Sequence, residues 1–199
     1  MGHLNFRTLS MLTILMVSVP VFAQNNAQEQ IDMAVLAAPE EEREAATVYG
    51  YDDEGKMVTL REGSGNMVCI ADEPGNERFQ VVCYHKDLEP FMERGRVLKA
   101  EGKNPREIFD MREEEAKAGT LQMPEKPATM HVYFGSDVSY NEEDNALDGA
   151  RYRYVVYIPF ATQESTGLSL RPNGSGHPWL MDPGTHRAHI MITPPEEKD

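Results

Sequence analysis

The sequence predicts an α+β fold, with a largely antiparallel sheet, a short N-terminal helix and a central helical pair. Three observations carry that prediction. Short β-rich runs separated by turn residues fill the stretch from Thr47 to Tyr84, helical spacing with capping signals takes over between Asp87 and Gly119, and strands return after Pro124 and Pro127. Strands, then helices, then strands is the order of an α+β domain rather than of alternating βα units.

From the N-terminus, residues 1–23 read as a cleavable signal peptide. They hold no Asp or Glu although the chain has 33, and Leu9–Val19 is apolar apart from Ser and Thr. Val21-Phe22-Ala23 offers small residues at the two positions a signal peptidase reads, so cleavage is expected after Ala23. The apolar run is shorter than the roughly 20 residues needed to cross a bilayer and ends at Pro20, so no transmembrane anchor is expected after processing.

Residues 24–46 form a polar N-terminal segment. Gln24–Gln30 reads as disordered, Ile31, Ala34, Val35 and Ala38 recur at helical spacing until Pro39, and Glu40–Glu44 is an acidic linker. Residues 47–199 then form a single α+β domain, within the size range of one hydrophobic core.

Thr47–Tyr51 and Lys56–Arg61 flank Asp52-Asp53-Glu54-Gly55, which places Asp and Gly where a hairpin turn uses them. Met67–Ile70 and Phe79–Tyr84 flank a second turn segment, Asp72–Glu77. With that turn centred on Asn76, Cys69 and Cys83 face each other, and in an oxidising compartment they form a structural disulfide.

In the helical middle, Asp87 is the expected cap and Leu88, Phe91, Met92 and Leu98 the apolar stripe, ending near Gly102. Asn104, Pro105 and Glu107 then give a cap, a first helical position and a capping-box partner, with Gly119 as the stop. Arg112–Ala118 is mostly charged and reads as a solvated face. Thr129–Phe134 and Ala150–Phe160 are the returning strands, with Tyr152, Tyr154, Val156, Ile158 and Phe160 on one face and the acidic loop Asn141–Asp144 between them. Ala188–Thr193 is the last strand, and Pro194–Asp199 should fray.

The formal charge is −14 for the whole chain, and −15 once residues 1–23, with their single Arg7, are removed. Such a chain repels a phosphate backbone, so nucleic acid is not an expected partner. Arg151-Tyr152-Arg153-Tyr154 is the one place where basic and aromatic residues interleave, and alternation puts the arginines on one face and the tyrosines on the other. It reads as core plus solvated face.

Searches for catalytic signatures give little. Asp144–Gly149 begins like a calcium loop, but Ala146 and Val155 stand at ligand positions, which rejects an EF-hand. Gly63-Ser64-Gly65 and Gly174-Ser175-Gly176 lack the spacing of a nucleophile elbow, and no phosphate-cradling or dinucleotide motif occurs. No cofactor is predicted. His177, His186 and His189, with Met191 beside them, are the candidate set for a divalent metal, since imidazole and thioether ligands suit zinc and copper. On a strand, however, a three-residue spacing sets His186 and His189 on opposite faces.

Several phrases resemble a group of uncharacterised secreted bacterial proteins. They are Ala37-Ala38-Pro39, Leu60-Arg61-Glu62-Gly63, Pro90-Phe91-Met92-Glu93-Arg94-Gly95-Arg96, Pro178-Trp179-Leu180-Met181-Asp182-Pro183-Gly184-Thr185 and Ala188-His189-Ile190-Met191-Ile192. The resemblance spans nearly all of the chain after Ala23 and implies export, but brings no activity with it. His186 departs from the group, which has proline in the corresponding Gly-Thr-Pro phrase.

The expected protein is therefore an exported, periplasmic or secreted, disulfide-stabilised acidic domain, acting as a non-enzymatic envelope or secreted binding protein. The alternative is a hydrolase or metal-dependent enzyme with its site near the C-terminal histidines. The expected functional surface in either case is the Gly- and Pro-punctuated loop from Gly167 to Arg187. Its sole tryptophan, Trp179, is the expected anchor and, with His177 and His189, the expected ligand-binding group.

Overall fold

The computed structural model describes residues 27–195. The predicted signal peptide, residues 1–23, and its expected cleavage point lie outside them. The chain is α+β, as the order of its elements predicts. Helix α1 (Ala27–Val35) leads into β1 (Thr47–Tyr51), β2 (Met57–Arg61), β3 (Met67–Ile70) and β4 (Phe79–His85). Helices α2 (Glu89–Ala100) and α3 (Pro105–Lys117) follow, then β5 (Ala128–Gly135), β6 (Ser139–Asn141), β7 (Ala146–Asp148) and β8 (Arg151–Tyr157). The short helix α4 (Gln163–Thr166) precedes β9 (Trp179–Met181) and β10 (His189–Ile192).

Eight strands form one sheet in the order β2-β1-β3-β4-β5-β8-β10-β9, and β6 and β7 pair by themselves. Every pairing in the large sheet is antiparallel except β1 with β3. The hairpin register puts Cys69 opposite Cys83, and the two are joined by a disulfide.

Strand alternation gives the sheet two faces with different covers. On one, Val48, Met67, Cys69, Val81 and Cys83 pack with Ile31, Ala34, Ala37 and Ala38 from α1 and the turn after it. On the other, Val68, Val82, Tyr84, Met130, Val155 and Tyr157 pack with Leu88, Phe91 and Leu121 from the α2–α3 layer. Ala27–Gln30 is thus not disordered: it is the first turn of α1, and buried Gln30 exchanges hydrogen bonds with the Tyr51 backbone at 2.8 and 2.9 Å.

The predicted cap of the central pair shifts. Asp87 lies inside a 3-10 turn, Lys86–Leu88, whose cap is the His85 side chain. The Asn104 capping box forms as predicted, with Glu107 returning the bond to the Asn104 N–H. Arg112–Ala118 is solvated only in part: Glu114, Lys117 and Ala118 are exposed, but the stretch also turns inward. Arg112 is buried, its guanidinium 4.0 Å from the centre of the Phe91 ring, and it donates to the Phe91 carbonyl at 3.1 Å. Gly95 makes that crossing feasible, because a Cβ there would sit 2.8 Å from Arg112 Nη1. Glu115 takes a forked pair of bonds from Arg94 on α2, which clamps the two helices together.

The strand read as Ala150–Phe160 ends at Tyr157, and its buried face is the reverse of the one expected. Val155 and Tyr157 are buried, whereas Tyr154 is exposed. Phe160 lies beyond the strand at φ 63°, its N–H held by the Thr185 carbonyl. Parity along a strand is readable from sequence, but which parity meets the helices is not.

Candidate functional site

The Gly167–Arg187 segment is not a structureless loop. Its centre is the edge strand β9, paired with β10 through Trp179 and Met191, Leu180 and Ile190, and Met181 and His189. Leu180 donates to the Ser169 carbonyl and Gly176 to that of Thr193, both at 2.8 Å, so both limbs of the segment are tied down. Gly174 and Gly176 hold φ of 91° and 76°, backbone that residues with side chains rarely adopt.

Between this segment and the sheet lies a cavity of about 380 Å³. Sheet register explains its floor. Arg151 and Arg153 of β8, Met191 of β10, and Trp179 and Met181 of β9 all project on the face that also carries Val155 and Tyr157. Pro172, Gly174, Ser175 and His177 form the facing wall, and Thr193 closes one end. Both guanidinium groups lie over Phe134, at 5.6 Å for Arg151 and 4.3 Å for Arg153. Arg153 donates to the Thr193 hydroxyl at 3.3 Å. Burial, and then the charge of Arg151, push the Arg153 guanidinium below its ordinary value. Thus two of the residues expected to bind ligand, His177 and Trp179, do line one pocket.

His189 does not join them. It is buried beside the pocket, stacked on Tyr157 with ring centres 5.2 Å apart, and its Nδ1 faces the Arg187 carbonyl at 2.7 Å. Burial holds its pKa below the ordinary value, so the ring is neutral at pH 7.

His186 occupies a third setting, fully buried against the edges of Phe91 and Phe109. Its Nδ1 lies 2.5 Å from Glu113 Oε2, and its backbone N–H donates to the same oxygen at 2.7 Å. Glu113 Oε1 also pairs with Lys117. Burial pushes the Glu113 carboxyl up, but the bonds from Lys117 and His186 outweigh it and hold the pKa at about 2. Burial keeps His186 below its ordinary value despite the carboxylate, so the neutral ring donates from Nδ1. Nε2 of His186 and Nε of Arg112 have no hydrogen-bond partner among the described residues.

The three histidines therefore sit in three different environments. Among the described residues, no three His, Cys, Asp or Glu side chains gather in a way that could hold a metal ion.

Two other cavities are less suited to a ligand. One of about 530 Å³, beside the disulfide hairpin, is larger but is walled largely by the exposed turn with Glu73, Asn76 and Glu77. One of about 420 Å³ lies between Lys86–Pro90 and Gln122–Lys126. Neither joins a guanidinium pair to a large aromatic ring, and convergent polar groups in an apolar wall mark binding sites better than volume does.

Sequence reasoning singled out Trp179 and His177, which line this cavity, through the Gly-Pro punctuation around them. It missed the arginines as residues of the cavity, although the alternation that puts both on one face was visible. It missed Glu113 because its partner is 73 residues away in the chain. No family model, curated protein or solved structure matches the chain.

Proposed function

We propose that this is an exported, non-enzymatic binding protein of the cell envelope or its surroundings, which holds a small ligand in the pocket between Trp179 and Arg153. The pocket carries the reading: it has a half-buried aromatic ring, two arginines and thioethers, and among the described residues its lining contains neither a carboxylate nor a base paired with a nucleophile. Export is supported by the acid-free leader ending at Ala23 and by the Cys69–Cys83 disulfide, which persists in oxidising compartments. Among the described residues no helix is long and apolar enough to cross a membrane.

A second reading, a hydrolase or metal-dependent enzyme built on the C-terminal histidines, has the Glu113–His186 pair in its favour. A carboxylate on Nδ1 is how a general-base histidine is oriented. Yet His186 is 0% exposed, which leaves its other nitrogen out of a substrate's reach.

The test is a thermal-shift screen of the mature chain against small metabolites, followed by mass spectrometry of any hit after long incubation. A stabilising hit that is lost in Trp179→Ala and recovered chemically unchanged is the expected result. Conversion of the hit to a product would overturn the non-enzymatic reading. Stabilisation undiminished in Trp179→Ala would move the site elsewhere.

A further inference from the structure

The pocket's chemistry narrows its ligand class. We propose that it takes an organic anion: a carboxylate or sulfonate carried on a flat apolar ring. This inference rests on the pocket reading above and goes one step beyond it.

The first ground is the charge pattern. The chain carries 33 acidic residues against 19 basic ones, yet among the described residues no acidic side chain lines this pocket, where Arg153 projects from β8 two positions after Arg151 on the same strand face. Among the described residues Arg153 has no carboxylate partner; its one side-chain bond is to the Thr193 hydroxyl, using Nε. Its terminal Nη groups thus remain available, and a guanidinium fork matches the two oxygens of a carboxylate or sulfonate. Phe134 beneath both guanidinium groups restrains them, so little side-chain freedom is lost on binding.

The second ground is shape and polarisability. The aromatic ring of Trp179 and the thioethers of Met181 and Met191 lie on the same sheet face as the arginines, in a space of about 380 Å³. That space suits a compact organic molecule, and aromatic and thioether groups favour contact with a flat ring. A bare inorganic anion would leave this apolar wall unused. A neutral ring would leave the Arg153 fork unused.

Trp179 is the sole tryptophan, so its emission reports on the pocket directly. The probes are 4-nitrobenzoate and its neutral isostere 4-nitrobenzamide, whose nitroaromatic rings quench indole fluorescence. With the mature, disulfide-bonded protein, saturable quenching by 4-nitrobenzoate is expected with a Kd about tenfold or more below that of the amide, since a charge-assisted bond is lost in the amide. Arg153→Gln should bring the two Kd values together, and Arg153→Lys should keep part of the preference. Equal Kd values in the wild type, or a preference untouched by Arg153→Gln, would overturn the anion assignment while leaving the pocket standing. Quenching by both probes that rises linearly without saturating would remove the pocket itself, and this inference with it. The wild-type comparison stands even if a variant fails to fold.

Discussion

The two ends of the large sheet solve different problems with the same backbone. At the end containing β1, β3 and β4, α1 covers one face and the α2–α3 layer the other, the inward positions are apolar, and a disulfide crosses the hairpin. At the end containing β8, β10 and β9, the face carrying Tyr157 and His189 is closed near α2 and α3 but opens toward Arg153 and Trp179. Polar and cationic residues there occupy positions that would be core at the other end. The contrast teaches that the apolar core is closed where both faces are covered, and that the cavity proposed to bind ligand opens where one cover stops short. The Glu113–His186 clamp marks the seam.

The largest effect should come from the α2–α3 cover, which closes the sheet up to Tyr157. Phe91 is 1% exposed and touches Tyr157, His186 and Arg112. Phe91→Ala should therefore destabilise by about 3–5 kcal/mol, read as a fall in the urea midpoint. A loss below about 1 kcal/mol would mean that the α2–α3 layer does not hold the sheet as described.

Next is the hairpin. Cys69→Ala with Cys83→Ala opens a loop closed at a sequence separation of 14, which should cost on the order of 3 kcal/mol. The pocket should be left intact at temperatures where the double variant is folded. Equal loss of stability and of ligand affinity under those conditions would erase the distinction between the two ends.

At the seam, Glu113→Gln keeps the shape but removes the charge that accepts from the His186 backbone and ring and from Lys117. A loss of about 1–3 kcal/mol is expected. The pH dependence has the same origin. His131, His186 and His189 are held below their ordinary value of 6.5 by burial, so the unfolded chain binds more protons than the native one as pH falls through that value. Stability should decline from about pH 7 downward, and fall again below the ordinary Glu value of 4.5 as Glu113 is driven toward protonation at about 2. Urea midpoints measured at pH 7.5 and 5.5 check the first part; a higher midpoint at 5.5 would contradict neutral, buried histidines.

The smallest stability effect belongs to Trp179→Ala. The ring is half-buried on an edge strand, so a loss of about 1 kcal/mol or less is expected, alongside loss of ligand binding. A loss like that of Phe91→Ala would make Trp179 a core plug rather than a pocket wall.

These differences also explain what was legible in the sequence. The turn around Asn76, the facing cysteines and the Asn104 capping box are local, set by residues within one turn or one hairpin, and they were readable. The short strands β6, β7 and β9 were not. Each is three residues long, too short for a period-two pattern, and β9 exists because β10 pairs with it. Arg112 and Glu113 read as solvated because charge along a helix usually is. The burial of Arg112 and the pairing of Glu113 depend on Phe91, Gly95 and His186, none of them near in sequence. Trp179 and His177 were legible as a pair, but the arginines opposite them needed the order of strands β8, β10 and β9, which no local pattern gives.

The separation of stability from binding is tested most directly by native-state hydrogen exchange, with and without 4-nitrobenzoate. Amides of β3, β4 and β5 should exchange only through global unfolding, while those of Gly176 and Leu180 exchange through smaller, local openings that the ligand selectively slows. Uniform protection across both ends, or slowing confined to the disulfide hairpin, would contradict it.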